Sequence, residues 1–113
     1  MISVDQHNNI TISKGDTLAL RFCLSEPLLE GDRATLTISS EDGIELQADV
    51  DGPTTCRILD VVVSAQDMDK LDSNYPYTYD LRFEFADGRV HTADWVKKFK
   101  IVNTAHQEVV QNE

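Results

Sequence analysis

The sequence predicts an all-β chain: an antiparallel β-sandwich of seven to eight strands with one short helical turn. Three observations predict it. Short stretches alternate apolar and polar residues with period two, the mark of strands with one dry face and one wet face. Turn-forming residues interrupt these stretches at intervals of roughly 8 to 12 residues, the spacing of sandwich folds. Helical periodicity is almost absent. The clearest stretch runs from Tyr75 to Val90: Tyr77, Tyr79, Leu81, Phe83 and Phe85 share one face, and Thr78, Asp80, Arg82 and Glu84 the other.

Each element follows from its own residues. Asn8 to Ser13 reads as a short first strand behind an N-terminal arm, and Lys14-Gly15-Asp16 as a turn. Thr17 to Leu24 follows, with Leu18, Leu20, Phe22 and Leu24 inward and Ala19, Arg21 and Cys23 outward. Glu26-Pro27 stops that ladder, because proline has no amide to donate. Asp32 to Ser39 alternates again, with Ala34, Leu36 and Ile38 on one face. A hairpin at Glu41-Asp42-Gly43 leads into Ile44 to Val50, which alternates without a break.

Asp51-Gly52-Pro53 is a second interruption. Arg57 to Ser64 holds Ile58, Leu59, Val61, Val62 and Val63, a nearly continuous apolar run that suits a strand covered on both faces or central in its sheet. Ser64 has the character of a helix cap, with Asp67 in the capping-box position of a single turn near residues 65 to 71. Asp87-Gly88 predicts a tight two-residue turn of type I′. Arg89 to Ala93 then pairs back, and Asp94 to Val102 forms the last strand, with a bulge or bend near Asp94. The reading is one domain over residues 1–102 and a polar C-terminal tail over 103–113.

Composition narrows the function. The chain has 113 residues, 10 basic and 20 acidic, for a net charge of −10. Such a surface repels phosphate backbones and anionic lipid, so neither nucleic acid nor a membrane is expected as a partner. No apolar run approaches the ~20 residues that cross a bilayer. The opening Met-Ile-Ser-Val-Asp-Gln-His lacks the basic flank and apolar core of a signal peptide, which predicts a protein made in the cytoplasm.

The residues that carry chemistry are scattered. His7, His91 and His106 fall in the arm, a hairpin and the tail, without metal-ligand spacing. Cys23 and Cys56 lie far apart in sequence and have no neighbouring histidine; a bridge between them depends on whether their strands are neighbours. Asp67-Met-Asp-Lys-Leu-Asp72 resembles a calcium loop only superficially, since the sixth and twelfth positions are Asp72 and Thr78 rather than glycine and glutamate. A looser site would need Asp49, Asp51 and this cluster to converge. No enzyme activity, cofactor or resident metal is expected. Trp95, Lys97, Lys98, Phe99 and Lys100 form the one basic and aromatic patch. On a terminal strand these lysines either guard a sheet edge or make a docking edge for an acidic neighbour, including a second copy. Trp95, Lys97, Lys98 and Lys100 are therefore the candidate partner-binding residues. Tyr79 is a candidate to bond its hydroxyl to nearby backbone, as corner tyrosines do.

Three segments in order carry a resemblance: Ile12-Ser-Lys-Gly-Asp-Thr-Leu-Ala-Leu-Arg-Phe22, Tyr77-Thr-Tyr-Asp-Leu-Arg-Phe83, and Asp87-Gly-Arg-Val-His-Thr92 before a final strand. Together they resemble small immunoglobulin-like proteins of tailed phages and prophages, including the N-terminal domain of baseplate upper proteins. The resemblance spans most of residues 10 to 102. It departs at Asn74 and at Trp95-Val-Lys97, where glycines are usual. It implies an immunoglobulin-like sandwich serving as a non-enzymatic structural or assembly module of a tail, baseplate or head. Its partners would be other virion or prophage proteins or copies of itself, and it would be made in the cytoplasm and incorporated into a virion. The alternative is a module that binds carbohydrate or another cell-surface ligand through aromatic platforms, suggested by Trp95 and the tyrosines.

Overall fold

A computed structural model describes residues 2–92 and 97–102. The elements are β1 (Ile2–Val4), β2 (Ile10–Ser13), β3 (Leu18–Cys23), β4 (Arg33–Ser40), β5 (Gly43–Asp51), β6 (Ile58–Val63), α1 (Ala65–Met68), β7 (Tyr77–Glu84), β8 (Val90–Thr92) and β9 (Lys97–Val102). All-β is the class. Seven of the nine strands form a sheet of order β1-β2-β9-β7-β4-β5, with β8 also paired to β7; β3 and β6 form a separate two-stranded ribbon. The ribbon packs on the large sheet through one apolar cluster. Leu18, Leu20, Leu59, Val61 and Val63 come from the ribbon, and Ile10, Ile12, Leu36, Ile38, Tyr77, Tyr79, Leu81, Phe99 and Ile101 from the sheet.

The inward sets of β3, β4 and β7 follow the predicted alternation. Ser64 caps α1, accepting a hydrogen bond from the Asp67 amide at 3.2 Å. Five features differ from the sequence expectation, four of them through pairing that a single strand does not record. β1 adds a strand where the arm was expected, antiparallel to β2. The large sheet is mixed rather than antiparallel, because β2 runs parallel to β9.

The alternation of β5 is broken by a bulge. Ile38 lies opposite Leu46 while Ser39 lies opposite Ile44, so Glu45 is the extra residue. Ile44 thereby turns to the outer face and is 64% exposed. Finally, β6 is neither central nor covered on both faces: it pairs with β3 alone among the described residues. Leu59, Val61 and Val63 face the core, whereas Val62 is 63% exposed.

The hairpin after β7 also differs. Phe85 N–H donates to the Arg89 carbonyl and Gly88 N–H to the Phe85 carbonyl, both at 2.9 Å. Gly88 has φ of +93° while Asp87 keeps a negative φ. This is a three-residue loop, a type I turn closed by a left-handed glycine, rather than a type I′ turn.

Candidate functional site

The candidate lysine patch lies on β9, which sits between β2 and β7 inside the large sheet. It is the last described strand in the chain but not an edge strand, so a sheet edge is not what these lysines guard or offer. The strand also divides the lysines. Lys97 lies opposite buried Tyr79 and is half-buried, while Lys98 and Lys100 lie opposite Thr78 and Thr11 and are exposed on the outer face. Trp95 lies outside the described residues. Of the histidines, His7 sits in the β1–β2 turn, and His106 lies outside the described residues.

The acidic groups offered for calcium are engaged separately. Asp49 accepts from the Thr35 hydroxyl at 2.8 Å, Asp51 from Arg33 Nε at 2.7 Å, and Asp67 faces Lys70 at 3.5 Å. Among the described residues no three acidic, histidine or cysteine side chains gather as a metal site would require. Both cysteines are free and exposed.

What the fold does bring together is an open groove of about 510 Å³ at one end of the sandwich. Its floor is the inner face of the β7–β8 hairpin. Phe83 and Phe85 stand in parallel there, 6.3 Å between ring centres, and His91 stacks on Phe83 at 6.4 Å. Alternation puts these rings on the core side of β7, and the register Phe83 to His91 carries β8 along. Phe22 and Leu24 at the end of β3 form one wall, and the segment Pro27-Leu28-Leu29 the other. Leu29 is 68% exposed. Among the described residues the two-stranded ribbon does not cover this end, and Phe83 and Phe85 stay half-buried.

A single carboxylate fixes the groove's shape. Asp32, buried at 6% exposure, accepts from the Leu29 amide at 2.8 Å and from the Ala86 amide at 2.9 Å. Its carbonyl accepts from the Gly52 amide at 2.8 Å. The β3–β4 loop is thus tied to both the β7–β8 turn and the end of β5. Gly31, with φ of +91°, permits this approach: a Cβ there would stand 2.9 Å from that of Ala86. At the rim, the Arg89 guanidinium lies 5.0 Å from the Phe85 ring centre and bonds Asp87 at 2.8 Å. The Arg89 backbone amide, then its side chain, hold the Asp87 carboxyl below the usual carboxylate range.

The groove can enclose apolar side chains. Cys23 and His91 both line it, but among the described residues no hydrogen bond joins them into a nucleophile and its base. A second hollow, polar and about 460 Å³, lies on the outer face of the large sheet among Thr35, Thr37, Gln47, Asp49, Asp80 and Arg82, with no aromatic ring in its lining. Sequence reasoning assigned Phe22, Phe83 and Phe85 wholly to the core and so missed the groove. The signal that was present is Arg89 and His91, which continue the aromatic face of the hairpin with groups too polar for a closed core. No protein-family model matches the chain, and neither a curated protein nor a solved structure matches it.

Proposed function

We propose that the chain is a non-enzymatic structural module of a phage or prophage particle, in a tail, baseplate or head, that works by holding other proteins. The observation that carries this reading is the open aromatic groove, a preformed apolar surface in which no nucleophile is paired with a base among the described residues. Exposed apolar patches of this kind on a polar protein mark interaction sites. The segments resembling phage immunoglobulin-like proteins supply the particle context, and with it synthesis in the cytoplasm followed by incorporation into a virion.

Strand order supports the immunoglobulin-like part of the reading. The run β9-β7-β4-β5 facing β3-β6 corresponds to the G-F-C-C′ strands over B and E of variable-type domains. At the start of β7, the Asp72 amide donates to the Tyr77 hydroxyl at 2.8 Å, near where such domains keep a corner tyrosine. Tyr79, the expected candidate, instead bonds the distant Asn8 carbonyl.

Purified protein mixed with the products of neighbouring genes tests the proposal by light scattering and electron microscopy. Incorporation into a tail, baseplate or head assembly is expected. A strict monomer that joins no particle and no partner counts against it.

A further inference from the structure

We infer that the free edge of β3 takes an extended segment of another protein, apolar at alternate positions and flanked by lysine or arginine, as a third strand of the small sheet. The inference rests on the assembly reading above and names the surface through which it works. The Leu24 amide donates to the Arg57 carbonyl at 2.7 Å, and the register runs unbroken from Leu18 opposite Val63 to Cys23 opposite Ile58. Even-numbered residues of β3 therefore turn their backbone groups toward β6, and Ala19, Arg21 and Cys23 turn theirs outward.

Because β3 pairs with β6 alone among the described residues, that outward row has no strand partner among them. Nothing on it acts as a guard. β3 has no proline and no bulge, and Arg21 is drawn aside to Asp60 at 2.8 Å. The groove borders this edge: Phe22, Cys23 and Leu24 line it and no β6 residue does. A strand added here would bond Arg21 and Cys23 through its backbone and lay alternate side chains on Phe83 and Leu81, the strand-addition mode of recognition.

Charge selects the occupant. Glu26, Glu30 and Asp87 stand at the groove, and its one arginine, Arg89, is already bonded to Asp87. A second copy would bring its own −10 charge against this mouth, whereas a basic-flanked segment would be drawn in.

The test uses the full-length chain, isotope-labelled, and three synthetic peptides. One alternates lysine and valine, one alternates lysine and serine at equal charge, and one is the valine peptide with N-methylated amides along one edge. The valine peptide should bind and slow hydrogen exchange at Arg21 and Cys23. The serine and N-methylated peptides should fail, and Phe83→Ser should weaken binding by about tenfold or more, the share of one buried aromatic. Equal binding of the serine peptide, protection on β1 or β5 instead of β3, or no binding by any peptide would overturn the inference. If Phe83→Ser unfolds the chain, the N-methylated peptide decides alone. Co-assembly with a particle protein that survives a folded Phe83→Ser removes the strand site and leaves the assembly reading standing. Peptide capture at β3 without any particle partner does the reverse.

Discussion

The seven-stranded sheet and the β3–β6 ribbon are built from the same kind of sequence and end in different circumstances. β7 has neighbours on both sides, while among the described residues β3 and β6 have only each other. Both contribute fully buried side chains to one core: Leu36 from the sheet is 1% exposed and Leu59 from the ribbon 0%. Their edges and outer faces differ. The sheet's outer face is threaded with Thr35–Asp49, Thr37–Gln47 and Arg33–Asp51 contacts, whereas the ribbon's carries the Arg21–Asp60 pair between exposed Val62 and Ile58. Leu36 and Leu59 are buried alike on their inward faces, and the two regions differ in how many strands lie beside them among the described residues.

The comparison breaks first, if it breaks, at the core. Leu36→Ala and Leu59→Ala should each cost about 2–5 kcal/mol, the range for a buried leucine that leaves a cavity. Denaturant unfolding measures both. A loss under about 1 kcal/mol for Leu59→Ala alone would mean the ribbon is only loosely docked.

The tie between the two regions is next. Asp32→Ala removes a carboxylate that accepts two amides and should cost about 2–3 kcal/mol, hydrogen bonds to charged groups being the stronger class. It should also speed hydrogen exchange at Leu29 and Ala86. Unchanged exchange at both would show that the loop is held by something else.

Adjacent valines of β6 sharpen the contrast within one strand. Val61→Thr buries a hydroxyl without a partner and should cost about 1–3 kcal/mol. Val62→Thr, on the exposed face, should stay within about 0.5 kcal/mol. Similar losses for both, measured by thermal unfolding, would deny that the ribbon has an open face. Tyr77→Phe removes the hydroxyl that receives the Asp72 amide and should cost about 1 kcal/mol.

The smallest effect concerns pH. The hydrogen bond from Arg21 holds the Asp60 carboxyl below its ordinary range. A carboxyl depressed in the folded state contributes stability above its unfolded value, near ~3.9, and loses it as pH falls through the folded value. Acidification below about pH 4 should therefore weaken wild type slightly more than Asp60→Asn. Superimposable acid-unfolding curves would show that the pair contributes nothing.

Much of the fold was legible in the residues themselves. The inward faces of β3, β4 and β7, the Ser64 cap and the breaks at Pro27 and Gly52-Pro53 each depend on neighbours within a few positions in the chain. The candidate site was not legible, because a groove is defined by which strands lie across from it, and among the described residues none covers Phe83 and Phe85. Phe83 and Phe85 read as core for the sound reason that most alternating aromatics are covered.

By itself the sequence determined that β3, β4 and β7 are extended and which side of each is oily, since side-chain alternation is a property of the local backbone. Tertiary structure alone decided who pairs with whom. Backbone hydrogen bonds between strands are chemically the same at every position and carry no residue code. That is why the lysine strand lies inside the sheet, β2 runs parallel to β9, the valine-rich β6 keeps one face in water, and β3 has β6 as its one partner among the described residues.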